Sequence, residues 1–194
     1  MGKAIVGKAK WVKQSGQSKV GKAVDEAMTR QQEAVCKIAS ELIGLAQKHA
    51  LTIGTAESCT GGMIAAALTS VPGSSEVFKG GVVSYANEIK IALLGVDKDT
   101  LDRNGAVCEE VALQMVRGAR RVLHVDVAVS ATGIAGPGGG SAEKPVGTVW
   151  IAVADDHGQA ASLYHFSGGR EQIREATVRA ALQDLKAFVQ RQSG

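Results

Sequence analysis

Thr55-Ala56-Glu57-Ser58-Cys59-Thr60-Gly61-Gly62 brings hydroxyls, a thiol and a carboxylate together within eight residues. A short apolar run (Leu51, Ile53) precedes it, and the alanine-rich segment Met63 to Leu68 follows. That order reads as a strand, a tight turn and a helix start. The free N–H groups at a helix N-terminus favour negative charge. Ser58 or Cys59 at such a turn can act as a nucleophile, with the N–H groups near Thr60 and Gly61 as oxyanion donors. Ser58 and Thr60 serve equally well as plain helix caps, so the stretch alone leaves both readings open.

Three other stretches carry groups of the same kind. In Tyr85-Ala86-Asn87-Glu88-Ile89-Lys90 a phenol stands at a strand end and a lysine about one helical turn on. A lysine there can lower the pKa of a serine or phenol by charge, or act as a base when its own pKa is depressed. The loop Thr132 to Ser141 has five glycines in ten residues. Its backbone can approach a ligand closely and form an anion-binding nest. It fits neither the Rossmann fingerprint nor the P-loop, because a strand follows it and Lys144 is not in a G-K-[ST] setting. Ser167-Gly168-Gly169-Arg170 opens a helix, where N–H groups and a guanidinium can clamp a phosphate. Together these stretches propose a serine-type hydrolase whose substrate carries a phosphate.

The elements that must position these groups alternate. A helix is expected from about Glu26 to His49, with Val35, Ile38, Ala39, Leu42, Leu45 and Ala46 on its apolar face. Strands are expected at Leu51–Ala56, Gly80–Tyr85, Val125–Ala131, Val146–Ala154 and Ala160–Phe166. Asn87 is read as the cap of a short helix, a longer helix starts at Glu109, and Arg170 opens the last one. The fold class is α/β, a three-layer α/β/α arrangement with a mixed, mainly parallel central sheet. Ligands in such sheets bind at strand ends, where the βα turns gather.

Composition narrows the function classes. The 194 residues suit one α/β domain over residues 25–194 and a basic extension over residues 1–24. Apolar residues make up 45% of the chain, and no run approaches the roughly 20 needed to span a bilayer. There is no apolar signal segment, so a cytoplasmic protein without a membrane partner is expected. The net charge of +3 is concentrated: six of the 22 basic residues precede the first acid, Asp25, leaving 16 basic against 19 acidic in the rest. A nucleic-acid surface on the folded body is therefore not indicated. Cys36, Cys59 and Cys108 are odd in number and far apart, and the four histidines are scattered. Neither a disulfide framework nor a metal site is expected.

At these residues the chain resembles the CinA carboxy-terminal domain family, whose stand-alone members include nicotinamide-nucleotide amidohydrolase. The resemblance runs from about Glu33 to Phe188. It is carried by T-A-E-S-C-T-G-G, V-V-S-Y-A-N-E-I-K, N-G-A-V-x-E, A-T-G-I-A-G-P and E-K-P-V-G-T-V-W. It implies hydrolysis of the carboxamide of nicotinamide mononucleotide to nicotinate mononucleotide and ammonia, without metal or cofactor, by a homodimer. It further implies Ser58 as nucleophile with Tyr85 and Lys90 as its activating partners, in either order of roles. Glu57, Thr60, Gly61, Asn87, Thr132, Gly133, Ala135 and Gly136 would bind substrate, and Arg170 its phosphate. Cys108 stands where members of the family carry serine. The alternatives are a nucleotide-binding module without turnover, or an accessory protein of competence or recombination.

Overall fold

A computed structural model describes residues 19–191, with side chains from residue 31 onward. Most of the expected basic extension, residues 1–18, lies outside the described residues. The described residues fall into two units, one ending at residue 33 and the other starting at residue 34.

Five strands build one sheet: β1 (Ile53–Glu57), β2 (Phe78–Val83), β3 (Val127–Gly133), β4 (Thr148–Ala154) and β5 (Gln159–His165), in the order β2-β1-β3-β4-β5. β2, β1 and β3 pair in parallel, while β4 is antiparallel to both β3 and β5. Only β4 opposes the common direction, so the expected mixed sheet is found, mainly parallel in strand direction and evenly divided in pairing. The register sets Glu57 beside Val83 on one side and Ala131 on the other. The chain therefore leaves three parallel strands at one level, and the turns after them meet.

Helices α2 (Met63–Thr69), α6 (Arg170–Arg191) and the part of α1 (Lys19–Lys48) from Ala34 onward flank one face of the sheet. Leu42, Ile43, Ile64, Leu68, Leu182 and Leu185 pack there on Ile53, Val127, Val129 and Ile151. Helices α3 (Asn87–Leu94), α4 (Lys98–Asn104) and α5 (Glu109–Leu123) cover the other face. There Leu94, Leu101, Val111, Met115 and Val116 meet Ala56, Ala128 and Ala152. Both faces of β1, β3 and β4 are thus covered, which is why these strands read as nearly unbroken apolar runs. Among the described residues no helix is long and apolar enough to cross a membrane.

One expectation changes. Asn87 is the first residue of α3 rather than its cap, because Ala86 takes the N-cap place and no side chain bonds there. Val122 is 41% exposed in the last turn of α5. Cys108 is the N-cap of α5 but makes no capping bond, and its thiol faces the Gly105 carbonyl at 3.6 Å.

Gly118 decides how closely α3 approaches α5. A Cβ at this position would lie 2.1 Å from the Leu94 carbonyl oxygen, far inside contact distance. α3 carries Lys90, so this crossing also sets the depth of the lysine. Gly118→Ala is expected to cost about 1–3 kcal/mol through overpacking. Urea unfolding of the variant tests this, and a midpoint equal to wild type would refute the tight crossing.

Candidate active site

Ser58 follows the last residue of β1, and its N–H donates to Ala131 O at 2.9 Å, which extends the sheet ladder by one bond. The chain then folds back, with Gly61 N–H donating to Ser58 O at 3.1 Å. Gly61 and Gly62 both have positive φ, 62° and 96°, a conformation that disfavours residues with a Cβ. Beneath this turn lies the Glu57 carboxylate, fully buried. Its Oε2 accepts from Gly62 N and Ile64 N, each at 3.0 Å, and its Oε1 from Ala65 N at 2.8 Å. Glu57 therefore satisfies the open donors of α2 and sets a negative charge at the positive helix end.

That placement corrects three expectations. The Glu57 carboxylate is buried under the turn and occupied by backbone N–H groups. Ser58 and Thr60 are not the caps of α2. Gly61 N–H and the first N–H groups of α2 are already bonded, so they are not oxyanion donors. No hydrogen bond from the Cys59 or Thr60 N–H to an oxygen is found among the described residues.

Lys90 is 1% exposed. Its Nζ donates to Ser58 Oγ at 3.0 Å, to Ser84 O at 2.7 Å and to Tyr85 O at 3.4 Å. No carboxylate pairs with it among the described residues. Burial holds its pKa below the ordinary lysine value, with Cys59 and Glu88 opposing the shift weakly. If Nζ is neutral, its two N–H bonds serve the two carbonyls and its lone pair accepts from the Ser58 hydroxyl in place of donating to it. Burial raises the Cys59 thiol to about 11, so at neutral pH it is not a thiolate nucleophile. Of the two candidate nucleophiles, Ser58 is the one hydrogen-bonded to the Lys90 amine.

A cavity of about 220 Å³ opens at this point. It is lined by the expected Ser58, Tyr85, Asn87, Lys90, Thr132, Gly133, Ala135 and Arg170, and also by Cys59, Ala106 and Val107. Thr132 Oγ1 donates to Ala106 O at 2.7 Å and so ties the end of β3 to the loop before α5. Arg170 Nη1 donates to Gly136 O at 2.9 Å and its Nη2 to the Tyr85 hydroxyl at 3.1 Å. Gly136 thus acts through Arg170. Tyr85, 62% exposed, holds its phenol at the mouth against Arg170 while Lys90 reaches only its backbone carbonyl. Thr60 and Gly61 stand outside the lining; Thr60 is fully buried and its carbonyl accepts from Arg174 Nη2 at 2.8 Å.

Sequence reasoning assigned no role to Ala106, Val107, the Ser84 carbonyl or Arg174. The first two lie within the N-G-A-V segment already singled out. Arg174 follows Arg170 by four residues, the spacing that puts two side chains on one helix face.

The family model for the CinA C-terminal domain matches residues 35–189. The chain belongs to the CinA C-terminal domain family. A CinA-like protein of Desulfotalea psychrophila is 48% identical over 151 residues, 77% of this chain and 37% of that protein. A CinA-like protein of Geobacter metallireducens is 50% identical over 142 residues, 73% of this chain and 34% of that protein. This CinA-family chain thus spans little more than a third of these curated relatives. Among solved structures, the competence/damage inducible protein CihA of Agrobacterium tumefaciens superposes with a TM-score of 0.79 at 46% identity, over 80% of this chain and 95% of that one. A CinA superfamily protein of Escherichia coli gives 0.76 at 33% identity, over 80% and 89%.

Glu57→Gln is expected to destabilise the domain by about 1–3 kcal/mol, because the amide places a donor among backbone donors. Thermal melting checks this. An unchanged melting temperature with a raised KM would return Glu57 to substrate binding.

Proposed function

We propose that this CinA-family domain hydrolyses the carboxamide of nicotinamide mononucleotide, releasing ammonia and nicotinate mononucleotide. The observation that carries the reading is the buried Lys90 amine on Ser58 Oγ, with its other hydrogen bonds directed to backbone carbonyls. The cavity is smaller than the roughly 300–1,000 Å³ typical of drug-sized ligands. It suits one ring with its amide, while Arg170 at the mouth suits the phosphate.

In this mechanism neutral Lys90 takes the Ser58 proton as Oγ attacks the amide carbon. The tetrahedral intermediate collapses when Lys90 returns the proton to the departing nitrogen, and ammonia leaves. Water then enters, gives its proton to Lys90 and attacks the acyl-enzyme, and the carboxylate product is freed as Ser58 regains its hydrogen. Of the two orders of roles for Lys90 and Tyr85, the geometry supports the one with Lys90 as base. Tyr85, bonded to Arg170, helps hold the substrate at the mouth.

The deciding assay is ammonia release from nicotinamide mononucleotide, with and without a chelator. Wild type is expected to be active and insensitive to the chelator. Ser58→Ala should lose at least about 10³-fold in kcat, as removal of a serine nucleophile does elsewhere, and still bind the nucleotide. Saturable binding with no ammonia from wild type would instead identify a binding module.

The pH dependence follows from Lys90. Protonated Lys90 cannot accept the serine proton, so kcat/KM should rise with pH through a pKa below the ordinary lysine value and then level off. Lys90→Arg should be inactive at every pH, since a guanidinium does not deprotonate. A pH-independent kcat/KM across the neutral and alkaline range would count against Lys90 as base.

A further inference from the structure

The register of β1 on β3 sets Glu57 level with Ala131, and the Ser58 N–H continues that ladder by donating to Ala131 O. Ser58 is therefore level with Thr132 on the neighbouring parallel strand, where adjacent backbones lie about 4.8 Å apart. Successive side chains alternate between the two faces of a sheet. Glu57 and Ala131 face α2 and the core beside it, so Ser58 and Thr132 both face the side covered by α3 and α5. Their own bonds agree. Ser58 Oγ meets Lys90 of α3 at 3.0 Å, and Thr132 Oγ1 meets Ala106 O, just before α5, at 2.7 Å. Thr132 is 1% exposed, and both it and Ala106 line the cavity. Lys90 lies on the β2 side, since its Nζ also reaches Ser84 O and Tyr85 O. The Ser58 hydroxyl thus stands between the amine on one side and the Thr132 hydroxyl on the other.

A hydroxyl has one hydrogen and two lone pairs, and a backbone carbonyl can only accept. The Thr132 hydrogen is therefore committed to Ala106 O, and no hydrogen bond into Thr132 Oγ1 is found among the described residues. What this oxygen has left to offer is acceptance alone. We infer that Thr132 is a specificity-determining residue that tells a carboxamide from a carboxylate: its oxygen accepts an N–H of the substrate amide and repels the product acid. The inference rests on the serine-amidase reading of the same cavity. In that reading the Ser58 hydrogen points to Lys90, so Ser58 Oγ too is an acceptor toward the substrate. A carboxamide brings two N–H donors, whereas the carboxylate that replaces it brings only acceptors. Turnover thus converts a hydrogen-bonding partner into lone pairs facing lone pairs, a mismatch that costs more in a buried setting than in water. The acid is thereby driven out of the site that held the amide. Valine has the shape of threonine but no lone pairs, and serine keeps the hydroxyl.

The test is calorimetric affinity for nicotinamide mononucleotide and for nicotinate mononucleotide, at one alkaline pH. Three proteins are compared, all carrying Ser58→Ala so that the amide is not consumed: one with Thr132, one with Thr132→Val and one with Thr132→Ser. Thermal melting of each, and ammonia release by wild type, accompany the titrations. In Thr132→Val the ratio of amide to acid affinity should fall by about 10-fold, the usual effect of leaving a buried donor without its acceptor. The fall should come from weaker amide binding, with acid binding held or strengthened, and Thr132→Ser should restore the ratio. A ratio that Thr132→Val leaves unchanged would overturn the inference. So would equal losses of both affinities in step with a lower melting temperature, which would mark the Thr132–Ala106 bond as a structural tie only. Ammonia from wild type together with a ratio indifferent to Thr132 would remove the discrimination and leave the amidase standing. A ratio that depends on Thr132, without ammonia from wild type, would uphold the discrimination in a binding module and remove the amidase. Binding of neither nucleotide would overturn the inference, and the ammonia assay would then decide the amidase reading separately.

Discussion

An ammonium group buried without a counter-ion is expensive, and the site around Lys90 is organised by that cost. Desolvation disfavours the charged form, and no carboxylate offsets it among the described residues. The Ser84 and Tyr85 carbonyls and Ser58 Oγ receive the amine instead. The partners come from two strand ends, Ser58 after β1 and Ser84 and Tyr85 after β2. The register of β1 against β2 brings Ser58 beside Ser84, and the close crossing at Gly118 lets α3 carry the lysine inward. A surface lysine keeps the ordinary preference for its charged form; burial shifts this one toward the neutral amine.

Strand ends impose a second constraint. A turn between a strand and a helix must satisfy the helix's first N–H groups, and in many turns a serine or threonine does so. Here the preceding residue, Glu57, reaches under the turn and accepts three of them. The Ser58 hydroxyl is thereby released from capping and can face the cavity. The Glu57 charge also offsets the positive end of α2.

The opposite wall is built by α6. Arg170 spans Gly136 and Tyr85 at the mouth, and one turn later Arg174 grips the Cys59 and Thr60 carbonyls. One helix thus contributes a cation on the substrate side of the nucleophile and another behind it. The glycine-rich loop meets this helix through the Gly136 carbonyl, which makes the loop a support for Arg170 as well as part of the cavity lining.

Much of this protein was legible in the sequence alone. Periodicity and turn residues marked the α5 helix from Glu109 and the five strands, because amphipathic spacing and breakers are local properties. The separated motifs named the family and picked out Ser58, Tyr85, Lys90 and Arg170, which do meet in one cavity. What remained open depended on contacts between distant residues. Whether Glu57 or Ser58 caps α2, whether Ser58 or Cys59 is paired with the base, and whether Tyr85 turns to Lys90 or Arg170 are all questions of direction in space. The Lys90–Ser58 bond spans 32 residues and the Arg174–Cys59 bond 115. Sequence spacing states which groups are available at strand ends. Only the packed sheet and helices decide which lone pair faces which proton, since burial and orientation are properties of the whole fold.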